Sequence, residues 1–152
     1  MTPDLIAYAV AALLAVAAVL DMKNARIPNW LVLAIVALFP LQWLMFPETV
    51  TPVSQLIFAV VVFVLGFGLF MTGGFGAGAV KLMAATALFL PADQPLWMLG
   101  LFFACVIGAL ILFGLARMFA GSETSGWAVL RKRVIPMAAP IAVTGWVGMF
   151  LF

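Results

Sequence analysis

A chain of 152 residues that is 68% hydrophobic and 8% charged cannot bury its apolar surface as a soluble domain, so its solvent is a bilayer. It has no histidine, and its single cysteine, Cys105, lies in an apolar run; this excludes zinc sites, internal disulfides and nucleophile–histidine catalysis. The net charge of +2 says little by its total, and no nucleic-acid partner is expected.

Leu5 to Leu20 forms the first expected membrane span. No lysine or arginine precedes it and the basic residues follow it, an order unlike that of a signal peptide, so an uncleaved helix is expected. Seven of its 16 residues are alanine, which suits close helix packing. Asp21 to Ile27 reads as a short polar link, and Pro28 suits the first turn of a second span, Trp30 to Phe46. Pro47-Glu48-Thr49 is the next turn, and the third span runs from Val53 to Met71. Four glycines then fall within six residues, at 73, 74, 76 and 78.

The apolar run after them, Val80 to Leu90, has 11 residues and covers about 16 Å, too short for a hydrocarbon core of ~30 Å. The fourth span must borrow part of the glycine stretch or start within the membrane. Irregular backbone at that depth needs protein or a wet cavity around it, so the glycines are expected inside a helix bundle. Pro91 to Pro95 is a turn, Leu96 to Met118 the fifth span, and Val134 to Phe152 the sixth. The expectation is an all-α membrane bundle of six spans, residues 1–152 forming one domain without internal repeats.

Orientation follows the basic residues. Lys23, Arg26, Lys81, Arg117, Arg131, Lys132 and Arg133 all lie in or beside the first, third and fifth connections, whereas the other side has only Asp4, Glu48 and Asp93. Both termini are therefore expected away from the cytoplasm. The Asp21 link and the glycine stretch share the cytoplasmic side.

Gly74 to Ala79 partly fits a dinucleotide fingerprint, but no βαβ unit accompanies it, and no Ser or Thr follows Lys81 as a P-loop requires. Asp21 is an acidic residue at the end of a membrane helix, which marks a functional position by default; the plain alternative is a salt bridge to Lys23 or Arg26.

Asp21 followed by Arg26-Ile27-Pro28-Asn29 resembles the first motif of type IV prepilin peptidases, and Gly76-Ala77-Gly78-Ala79-Val80-Lys81-Leu82 looks like their second, Gly-x-Gly-Asp-x-Lys-Leu. Pro136 to Gly145 is similar to a weaker pattern near the family's C-terminus. The small size resembles the short branch serving Tad/Flp-type pili. The resemblance implies an aspartic endopeptidase, free of cofactor and metal, that cleaves leaders from prepilins or pseudopilins at the cytoplasmic face of the bacterial inner membrane, among its lipids. It assigns one carboxylate to Asp21 and the other to position 79, with Lys23, Arg26, Pro28, Asn29, Gly76, Gly78 and Lys81 shaping the site.

Position 79 is the departure: the family's second aspartate is replaced by Ala79. Aspartic proteases use one ionised carboxylate to activate water and one protonated carboxyl to polarise the scissile carbonyl. A methyl group does neither, so the chain as written is expected to be an inactivated form. The alternatives are a pilin-binding protein that does not cut and a small transporter with a discontinuous helix, which predicts inverted repeats.

Overall fold

The computed structural model describes residues 3–73, 76–90, 94–119 and 136–151. Among these the chain is all helical, with six α-helices and no strand: α1 (Pro3–Asn24), α2 (Asn29–Met45), α3 (Pro52–Met71), α4 (Ala77–Ala87), α5 (Pro95–Phe119) and α6 (Ala138–Phe150), with a 3-10 turn at Pro47–Thr49. Two helices, α1 over Asp4–Asn24 and α3, are long and apolar enough to cross a membrane; α2, α4, α6 and the Leu96–Ala109 part of α5 are shorter apolar helices.

Among the described residues, much of the exposed helix surface is apolar. On α3, Val53, Leu56, Ile57, Val60, Val61, Val64 and Leu65 are exposed, while Ala59 and Gly66 are buried. Such a helix is stable only where the surroundings are as apolar as its side chains. Gly66 faces α4, where an added Cβ would stand 3.1 Å from Val80 Cγ1.

The core gathers around α4 and α6. Ile6, Val10, Leu14 and Ala17 of α1 meet Leu31, Val32 and Ile35 of α2, Ala79, Leu82 and Ala85 of α4, Phe102 of α5, and Ala138, Ile141 and Ala142 of α6. On α1 these positions recur every three or four residues, the repeat of one helix face. The next position on that face is Asp21, 8% exposed.

Helices α1 and α6 run antiparallel along their length. The Tyr8 and Phe150 rings meet tilted with centroids 5.1 Å apart, Trp146 Nε1 donates to the Ala11 carbonyl at 3.0 Å, Gly145 faces Leu14, and the Ala138 N–H donates to Asp21. Tyr8 and Phe150 thus lie at one end of the pair, Asp21 and Ala138 at the other. Gly145 permits this approach: a Cβ there would stand 2.8 Å from both Leu14 Cδ1 and Thr86 Cγ2. Gly145→Val is expected to destabilise the protein by about 1–3 kcal/mol through overpacking, read as a lower midpoint in thermal unfolding in detergent, with Gly145→Ala falling between.

Four expectations change. Asp21 to Asn24 is the last turn of α1 and no link; it is closed by the Ala25 N–H donating to the Asp21 carbonyl at 2.8 Å, with Ala25 at φ +53°. That left-handed cap normally favours glycine, because an L side chain there costs about 1–2 kcal/mol. Pro28 stands one residue ahead of α2, in extended backbone, and the Leu31 N–H bonds to its carbonyl. The last helix starts at Ala138 and not at 134, since Pro136 stands outside it and Pro140 occupies its first turn, where a missing N–H costs nothing.

The glycines are the fourth case. Helix α4 does borrow from the stretch, starting at Ala77 and including Gly78, but Gly73 and Gly76 are exposed, not inside the bundle. Gly73, at φ +77°, ends α3 by donating its N–H to the Phe70 carbonyl. The buried irregular backbone lies at the other end of α4, at Leu88 and Leu90, where the Phe89 and Leu90 N–H groups bond back to Thr86 and Ala87. Satisfied in this way, the turn tolerates an apolar environment. Gly74, Asp93, Arg131, Lys132 and Arg133 lie outside the described residues.

Candidate active site

The two sequence motifs meet at one end of the bundle. Helix α4 begins at the glycines with Gly76 in extended backbone at its N-cap, and its inward face carries Ala79 and Leu82, both buried. Gly78 faces the connection between α1 and α2, so that a Cβ there would stand 3.2 Å from Ile27 Cβ. That is tighter than most real contacts, so glycine at 78 lets the second motif lie against the first. One turn further on, Lys81 Nζ donates to Asn29 Oδ1 at 3.3 Å, 52 residues away in sequence. This exposed pair fixes register more than it adds stability.

Asp21 and Ala79 occupy the inward faces of α1 and α4. Ala79 shares a core cluster with Ala17, one turn before Asp21, and with Ala138, whose backbone holds the Asp21 side chain. The Ala138 N–H donates to Asp21 Oδ2 at 3.0 Å. A buried carboxyl group is tolerated only with such partners. The start of a helix supplies them, because its first N–H groups have no partner within the helix.

The remaining expected site residues are peripheral. Gly76 has open space where a Cβ would stand. Lys23 and Arg26 are exposed beside Asp21, and Pro28 is half-buried between Ile27 and Asn29. Sequence reasoning did not anticipate the backbone N–H of Ala138 as a partner of Asp21. Its trace in the sequence is the Pro136 to Gly145 pattern, whose prolines at 136 and 140 mark where a helix can start. No group of three or more possible metal ligands occurs among the described residues.

The arrangement brings a buried carboxyl on α1, a small buried residue on α4 and the start of α6 to one end of the bundle. The model of the type IV leader peptidase family matches residues 8–113, well over half of the chain. The chain belongs to the type IV leader peptidase family. Curated proteins and solved structures give no match. The matched segment contains Asp21, Ala79 and both motifs and stops short of α6. Members of this family are membrane-embedded leader peptidases acting on prepilins, and their activity is that of aspartic proteases.

Proposed function

We propose that this chain has the architecture of a prepilin leader peptidase in which Asp21 is one carboxylate of the catalytic pair and position 79 is the seat of the other. The observation that carries the reading is the contact between the motifs, Gly78 against Ile27 and Lys81 on Asn29, in a chain of the leader peptidase family. The pair would act on the peptide bond following the basic leader of a Tad/Flp-type prepilin. With Ala79 in place of the second carboxylate, the chain as written binds precursor without cutting it. The decisive experiment is a gel shift of prepilin to mature pilin with the Ala79→Asp form, followed by N-terminal sequencing of the product. Cleavage by the unaltered chain at the same rate would remove position 79 from the mechanism.

The reading places six helical segments in the bacterial inner membrane, with both termini outside and the site at the cytoplasmic face. The antiparallel pairing of α1 with α6 and the one-sided lysines and arginines support it. Single cysteines at Lys23, Glu48, Asp93 and Lys132, in a Cys105→Ala background, are expected to react with an impermeant reagent from outside only at positions 48 and 93. Labelling of position 132 from outside would reverse the orientation.

A chain that retains the site without its chemistry is expected to keep its substrate. Prepilin should co-purify with it, in detergent or nanodiscs, at least as well as with Ala79→Asp. The expected contact runs along the precursor's apolar N-terminal helix, the basic leader staying on the cytoplasmic side. Absence of any association would favour the transporter alternative.

A further inference from the structure

We propose that the segment Pro136 to Pro140 is a positioning element for the catalytic site: it presents the first backbone N–H group of α6, that of Ala138, as a rigid clamp for the Asp21 carboxylate. The inference rests on the reading of Asp21 as one carboxylate of the pair. Helix starts are usually closed by a side chain of their own N-cap residue, but here the N-cap is Met137, which makes no such bond. The partner comes instead from α1, 117 residues earlier in sequence, as Asp21 Oδ2 at 3.0 Å from the Ala138 nitrogen.

Each neighbouring group enforces that choice. Ala138 is fully buried, so the site is closed to competing water. Pro140 has no N–H, which removes one of the orphan donors from the first turn of α6. The Ile141 N–H is already bonded to the Met137 carbonyl at 3.4 Å. Pro136 and Pro140 are themselves fully buried, and their fixed φ holds the entry to the helix. The Ala138 N–H in this turn is bonded to Asp21. An aspartate side chain otherwise samples several staggered rotamers. Anchoring one oxygen to the buried start of a packed helix selects one of them.

Ala138 acts through Asp21, to which its N–H is bonded. The test replaces Ala138 in the Ala79→Asp enzyme by its ester analogue, a lactate residue, which keeps the methyl group and removes only the N–H. Prepilin cleavage is expected to lose about tenfold to a hundredfold in kcat with KM within about twofold, because misplacing a reacting group slows the chemical step. An unchanged kcat, or a loss confined to KM, overturns the proposal. A second measurement needs no cleavage: amide hydrogen exchange at Ala138 in the chain as written. Asp21→Ala is expected to remove protection at Ala138 while the amides of Val143 and Val147 stay protected. Equal protection at Ala138 in both forms overturns the clamp. If Ala79→Asp fails to cleave any prepilin, the proteolytic reading falls, and the exchange result still decides whether the clamp exists.

Discussion

Ala79→Asp is expected to turn the chain into an endopeptidase, with prepilin cleavage at least about a thousandfold above that of the unaltered chain, or roughly 4 kcal/mol of barrier. A lone carboxyl cannot serve as base toward water and acid toward the carbonyl in one step. A second carboxyl close by separates the two proton affinities and divides the roles. Position 79 is suited to hold it. It lies in the first turn of α4, where an acidic residue is favoured, and its side chain is on the inward face at 4% exposure.

The same burial carries a cost. A carboxyl added among Ala17, Leu82 and Ala138 loses its hydration and regains it only through a shared proton or substrate. The Ala79→Asp form is therefore expected to unfold at lower temperature than the unaltered chain while gaining activity. The pH profile of its kcat is expected to be bell-shaped, reporting the pair and not either residue alone.

In that restored enzyme, Asp21→Asn is expected to return cleavage to background, a loss of several powers of ten. Its value is that it separates chemistry from structure. The asparagine side-chain oxygen still accepts from the Ala138 N–H, so the link between α1 and α6 survives and the unfolding midpoint should move little. Asp21→Ala is expected to lose activity equally and also to lower stability by about 1–3 kcal/mol, since it leaves a buried N–H unpartnered. The two forms with a single aspartate, at 21 or at 79, should be similarly inactive, because members of a catalytic pair act as a unit. Retention of a substantial fraction of the rate by Asp21→Asn would remove Asp21 from the chemistry.

The sequence by itself determined the helical class of fold and put forward both halves of the candidate site. Hydropathy marks the helices because a bilayer admits little else, and every helix found lies on an apolar run. Asp21 reads in the sequence as part of a link, and its place on the buried face of α1 with Ile6, Val10, Leu14 and Ala17 came only with the structure, because a helix apolar on every side marks no face. The Gly-x-Gly spacing and Lys81 locate the second motif beside the start of a helix.

The tertiary structure alone decided what these parts touch. Lys81 reaches Asn29, and Gly78 fits against Ile27, because the start of α4 packs against the end of the α1–α2 connection and the start of α2. No periodicity encodes a contact across 52 residues. The exposed glycines and the buried turn at Leu88 to Leu90 were likewise illegible, since depth in the bundle depends on neighbours that hydropathy does not name. The partner of Asp21 is the clearest case: it is the backbone of Ala138, and a backbone N–H has no letter in the sequence. Its availability arises only where a helix starts, and its direction only when α6 packs antiparallel on α1.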